Sequence, residues 1–256
     1  MDFSLPESGA DVRGLARDIA TSISTPERVA DLESSRAALD ANLWRELGGA
    51  GLLGLELTAE AVGDAGGDLG VVENALVATE LGRVLARVPF GPHAIAALPV
   101  IAAHGSAQLR GRVLAAGATG DSVLTVAVEE DLATDLGSPT TTFSTEGTLT
   151  GVKVDVPYAE AADMFVVTAS GPDGVVAVVV AADAPGVVVT PHPVHRIDPL
   201  GAGRVRRHTG RRRRRSRRRR GHRRDAGRPR DTGVLCRPDR HRRARTRAHR
   251  RICPRA

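Results

Sequence analysis

Apolar residues recur at helical spacing over the first part of the chain. Val12, Leu15, Ala16, Ile19 and Ile23 form one stripe. Thr25-Pro26-Glu27 then offers a capping hydroxyl and a first-turn proline, which predicts the start of a short second helix. Leu39, Leu43 and Leu47 fall four apart beside Trp44, and Gly48-Gly49 predicts a left-handed stop. A glycine-rich stretch over residues 63–70 reads as a linker rather than a phosphate loop, because no strand precedes it. The longest run follows, with Val77, Leu81, Leu85 and Val88 on one side, Glu80 and Arg83 three apart on another, and Pro89 as its end. Residues 93–104 and 107–116 complete an all-helical domain, 1–117.

From Asp121 the period changes from 3.6 to 2. Short β-branched runs at 122–128, 140–144, 148–156, 162–169, 175–181 and 187–190 alternate with turn residues such as Glu146-Gly147 and Pro172-Asp173-Gly174. This spacing predicts an antiparallel sheet or barrel over 118–200 that is incomplete, its last strand running straight into a different kind of sequence. The fold class is therefore α+β, an N-terminal helical domain followed by a truncated β-domain.

Charge divides the chain at the same place. Residues 1–200 hold 27 Asp+Glu against 11 Lys+Arg, net −16, while residues 201–256 hold 25 Arg against 3 Asp, net +22. Every cation of that tail is Arg, and the chain's only lysine is Lys153. Like-charge repulsion and a lack of apolar residues predict a disordered tail. Arginine without lysine matches the codon bias of a GC-rich gene read out of frame, so a frame shift near Gly201–Gly210 is expected. Such a polycation binds nucleic acid nonspecifically whatever its origin, and it lacks the aromatics that single-strand binders use for stacking. Both cysteines, Cys236 and Cys253, lie in the tail, so nothing points to an oxidising compartment. An acidic N-terminus without signal character, and no apolar stretch of bilayer length, predict a cytoplasmic protein.

Four segments, in order, carry a family resemblance. Leu43-Trp44-Arg45-Glu46-Leu47 with Gly51-Leu52-Leu53-Gly54-Leu55, the Glu80-Leu81-Gly82-Arg83 helix, the strand 124–130, and Leu149-Thr150-Gly151-Val152-Lys153 continuing through Ala159, Ala162-Asp163 and Val167 resemble the acyl-CoA dehydrogenase family. The resemblance implies an N-terminal helical domain, a middle β-domain and a C-terminal helical bundle, FAD as cofactor, and an acyl-CoA substrate oxidised across Cα–Cβ. It also implies an electron-transfer flavoprotein as acceptor and a homo- or hetero-oligomer of related subunits.

By the same resemblance, Val126, Val128 and Glu129 on one strand, with Asp155 and Pro157, fall where relatives contact the flavin. Glu129 replaces a threonine, Asp155 a tryptophan and Pro157 a second threonine. The family's catalytic glutamate belongs to the C-terminal bundle. No Glu follows Glu160 here, so no catalytic residue is assigned and the chain alone is expected to be inactive, with a non-catalytic partner subunit, or a nucleic-acid-binding protein acting through the Arg tail, as the alternatives. His192 and His195 with Asp198, and Cys236, His241, His249 and Cys253, have metal-ligand residue types, but their spacing and setting assign no metal site.

Overall fold

The computed structural model describes residues 7–131, 135–191, 200–205 and 233–234. Helices α1 (Glu7–Ile23), α2 (Pro26–Ser35) and α3 (Ala41–Gly49) open the chain. Thr25 Oγ1 accepts from Arg28 N and caps α2 ahead of Pro26, as the sequence predicts. Buried Asp40 caps α3 by accepting from the Asn42 and Leu43 amides, and it also holds Arg28. The α1 stripe turns Val12, Ala16, Ile19, Ala20 and Ile23 to the core, whereas Leu15 stays 44% exposed at its margin.

α3 ends at Gly49, as the Gly48-Gly49 pair predicts, but neither glycine is left-handed: the left-handed residue is Gly51, two positions on. Helical backbone at Gly48 lets the chain pass so close to Thr119 that an added Cβ would overlap its carbonyl. The glycine-rich stretch is not a loose linker. After α4 (Ala59–Val62) and a 3-10 turn (Gly63–Ala65), residues 66–69 fold back on 54–59, with Gly67 N donating to Gly54 O and Leu69 N to Leu55 O.

Helix α5 (Val71–Arg83) stops six residues before Pro89. Leu85 takes a left-handed φ of 53° and points outward at 68% exposure, so Val84, Val88 and Phe90 fill the core instead. A π-helix (Gly91–Ala97) leads into α6 (Leu98–His104), and α7 (Ala107–Thr119) runs to Gly120 in left-handed conformation.

The strands are β1 (Leu124–Ala127), β2 (Thr142–Phe143), β3 (Leu149–Val152), β4 (Val156–Pro157), β5 (Met164–Gly171), β6 (Gly174–Ala181), β7 (Val187–Pro191), β8 (Leu200–Val205) and β9 (Gly233–Val234). Most ladders are antiparallel, as in the hairpin of β5 and β6, but β1 and β2 both pair with β5 in parallel, making the sheet mixed. The long excursion through β2 to β4 supplies the crossover that a parallel pair requires. The sheet also continues past residue 200: β8 pairs with β7 on one side and with β3 and β4 on the other. Apart from β8 and β9, the basic tail lies outside the described residues.

Period-two alternation feeds two cores. Leu124, Val166 and Val179 face the helices and pack with Leu98, Ile101, Leu114 and Ala118. Ala127, Phe165, Val167, Val178 and Val180 face the other way and pack with Val156 and Ala159. Burial on both faces fixes the register, because a one-residue slip would exchange the two sets.

Candidate functional site

The α7–β1 connection is clamped before β1 begins. The Trp44 indole Nε1 donates to Gly120 O at 2.9 Å, and its ring meets His93 edge-on at 4.9 Å. His93, fully buried on the π-helix, accepts from Leu124 N through Nδ1 at 2.9 Å, which leaves Nε2–H to donate to Gly117 O at 3.0 Å. Burial holds His93 down at about 4, against weaker support for the charged form from those two backbone groups. This clamp was not legible in the sequence, where His93 marks only the edge of an apolar helix.

Beyond β1 lies a buried network centred on one ion pair. Lys153 and Glu130, the pair that the resemblance supplies as motif residues without a role, meet at 2.8 Å with 2% and 3% of their side chains exposed. Lys153 Nζ also donates to Val128 O at 3.1 Å and Thr168 Oγ1 at 3.0 Å. Glu130 accepts in addition from Thr140 N, Thr140 Oγ1 and Thr141 N. Burial alone would raise the Glu130 carboxyl, but Lys153, Thr140 and Thr141 outweigh it and hold it far below the usual range. Burial lowers the Lys153 ammonium, with Glu130 and Glu129 opposing.

The network sets which neighbouring side chains face out. With Val128 O and the Glu130 carboxylate drawn inward to Lys153, Glu129 is left exposed between them; Lys153 points in and Asp155 is exposed. Val154 N donates to Glu129 O at 3.0 Å and Thr125 Oγ1 to Pro157 O at 2.6 Å, so the segments carrying Glu129, Asp155 and Pro157 run side by side. Asp155 and Tyr158, with φ of 49° and 53°, bracket β4. All five sequence-assigned positions, Val126, Val128, Glu129, Asp155 and Pro157, therefore share one region, with Val126, Val128 and Pro157 half-buried.

The outward side chains there include two carboxylates, while the Thr125 hydroxyl and the Lys153 ammonium are committed internally. Pro157 has no N–H to offer. An electron-rich reduced flavin gains from donors and positive charge, so this set of groups does not fit one. It suits a cation or a hydrogen-bond donor. The histidine and cysteine groups of the sequence reading, His192, His195 and Asp198, and Cys236, His241, His249 and Cys253, lie outside the described residues. Among the described residues there is no cluster of three or more His, Cys, Asp or Glu suited to a metal, and no helix long and apolar enough to cross a membrane.

Comparison with known proteins agrees with this architecture. The family described as acyl-CoA dehydrogenase, N-terminal domain, matches residues 7–121. Acyl-CoA dehydrogenase FadE27 of Mycobacterium tuberculosis is 34% identical over 192 residues, 74% of this chain and 50% of that protein. Among solved structures, the Tcur3481-Tcur3483 steroid acyl-CoA dehydrogenase G363A variant is 37% identical with a TM-score of 0.72, covering 78% of this chain and 55% of its own. The ChsE4-ChsE5 complex from Mycobacterium tuberculosis is 32% identical with a TM-score of 0.73, covering 80% and 56%. A glutaryl-CoA dehydrogenase from Mycobacterium smegmatis in complex with FADH2, 22% identical with a TM-score of 0.68, shares the fold. The chain spans about half the length of the relatives it matches. Helical layer, mixed sheet and ordered motifs thus coincide with those of one flavoprotein family, and the chain belongs to the acyl-CoA dehydrogenase family, carrying its N-terminal and middle parts.

Proposed function

We propose that this chain is the non-catalytic member of a hetero-oligomeric acyl-CoA dehydrogenase, its partner a related subunit that carries the FAD and the proton-abstracting carboxylate. The observation that carries this reading is the paired exposure of Glu129 and Asp155 on a scaffold whose internal supports are intact. A decayed sheet would lose the Lys153–Glu130 network first, since half of a buried ion pair is costly. Two matched structures are named as complexes or pairs, ChsE4-ChsE5 and Tcur3481-Tcur3483, which supports a heteromeric setting. The assembled enzyme would desaturate an acyl-CoA thioester between Cα and Cβ in the cytoplasm and deliver electrons to an electron-transfer flavoprotein. Val126, Val128 and Pro157 would shape the face that Glu129 and Asp155 make acidic.

The test is to purify the full chain alone and record its flavin absorption, then add acyl-CoA thioesters with an artificial electron acceptor. The expected result is no stoichiometric flavin and no turnover, with both appearing only on co-expression with a flavin-bearing relative. Flavin bleaching by a thioester in the lone chain overturns the proposal. Retention of nucleic acid does not bear on it, because any arginine-rich segment shows that salt-dependent binding.

A further inference from the structure

Three guanidinium groups converge on one buried carboxylate in the helical layer. Glu80, 2% exposed, accepts from Arg13 Nε at 2.7 Å, from Arg17 Nη2 at 3.1 Å and Nε at 3.2 Å, and pairs with Arg83 Nε at 3.5 Å. Arg13 and Arg17 stand one turn apart on α1 and Arg83 closes the last turn of α5, so two helices deliver them to a single point. One carboxylate neutralises one of the three charges. Asp18, next to Arg17 along α1, offsets part of the remainder.

Their outer edges are accessible: the side chains of Arg13, Arg17 and Arg83 are 32%, 51% and 61% exposed. Arg13 and Arg83 face Glu80 through Nε, and among the described residues their terminal amino groups bond no other protein atom. This stands out against the setting, since residues 1–200 hold only 11 cationic side chains against 27 acidic ones. An ordinary surface ion pair needs one arginine per carboxylate. Two forks hydrogen-bonded to a buried anchor, with a third guanidinium drawn beside them by charge, form a partly preorganised receptor for an oxyanion, because much of the entropy of fixing Arg13 and Arg17 has already been spent in folding.

We propose that Arg13, Arg17 and Arg83 form a site for the dianionic phosphate group of a soluble ligand, either free phosphate or the phosphate end of a small organic molecule. The phosphate oxygens would accept from the guanidinium edges that turn away from Glu80, and the exposed side of the cluster leaves room for whatever the phosphate is attached to. The site stands apart from the Glu129–Asp155 region and is independent of the subunit role proposed above.

The full chain is melted at pH 7.5 in inorganic phosphate, in succinate and in sodium chloride at matched ionic strength, alongside Arg17→Gln and Arg83→Gln. The arginines beyond residue 205 are common to all three proteins and cancel in the differences. Wild type is expected to melt about 3–5 °C higher in phosphate than in chloride at roughly tenfold excess over Kd, with the gain at least halved in each variant. Glucose 6-phosphate in place of phosphate tells the sources apart: an equal or larger gain means the site takes the organic ester, and a smaller one means it takes the free ion. Equal gains in wild type and both variants, or no gain of phosphate over chloride, overturn the proposal. A succinate gain matching that of phosphate overturns it too, since that patch would be reading carboxylates.

Discussion

Protonating His93 should detach β1 from the helical layer, and the effect is large enough to measure. In the fold Nδ1 must stay unprotonated to accept the Leu124 amide, while Nε2–H serves Gly117 O. A second proton would set an N–H against an N–H and charge a ring that has no exposure. Burial accordingly lowers the group from 6.5 to about 4. The unfolded chain therefore binds the proton more readily, and the stability present at neutral pH is lost as pH falls below 6.5, the loss levelling off below about 4. At about 1.4 kcal/mol per unit, the loss reaches roughly 2.5 kcal/mol at pH 4.5 and about 3 at pH 4. For a folded body of this size that is a fall of about 5–10 °C in the melting midpoint by pH 4.5. Glu80, held down at about 2 by Arg17 and Arg13, contributes its own loss only as pH falls from its ordinary 4.5 toward 2, so the two windows separate. The assay is urea unfolding followed by circular dichroism from pH 7 to 4.5 at constant ionic strength, on wild type and His93→Gln. Other titrating groups are common to both proteins, so the difference in slope isolates His93. Parallel loss of stability in the two would refute the reasoning.

Two further perturbations test the supports of the site. Lys153→Met should cost about 3–5 kcal/mol by stranding the Glu130 carboxylate, and Lys153→Met/Glu130→Gln should cost clearly less than the two single changes added together; additivity in a denaturant-based double-mutant cycle would remove the pair from the account. Gly48→Ala drives a Cβ into Thr119 O and should lower stability by about 1–3 kcal/mol, whereas Gly49→Ala meets nothing within 4 Å and should raise it by about 0.5–1. Equal unfolding midpoints for the two variants would contradict the close approach of α3 to α7.

What the sequence made legible was periodicity. The helical layer and the β-branched runs came from spacing alone, and the capped start of α2 came from Thr25-Pro26. Two details departed from local pattern: α3 ends at Gly49 as read, but the left-handed residue is Gly51 and Gly48 is needed where α3 passes Thr119, while α5 ends at Arg83 and a left-handed Leu85 leaves the stripe for solvent. The parallel pairing of β1 with β5 was hidden because neighbouring strands in sequence usually pair with each other, and only the packing of Leu124, Val166 and Val179 against the helices shows otherwise. At the site, the positions were legible through the family motifs, while the partners were not. Neither the Lys153–Thr168 bond nor the His93–Leu124 bond leaves a trace in spacing, since each joins elements far apart in the chain.

The division between buried and exposed side chains organises the site. Buried side chains on β1 and in the segments just after β1 and β3, Thr125, Glu130 and Lys153, each have internal partners. The positions that the resemblance marks as altered, Glu129, Asp155 and Pro157, are exposed or half-buried. Irregular backbone beyond the strand ends permits this separation: Lys153 and Asp155 are two residues apart and would share a face in a regular pleat, but the left-handed bend at Asp155, φ 49°, leaves one buried and the other exposed. Under the subunit role proposed above, an exposed carboxylate pair beside an intact buried ion pair would meet a donor or a cation on another subunit, and replacing Glu129 and Asp155 by Gln and Asn should weaken that association while leaving the fold intact.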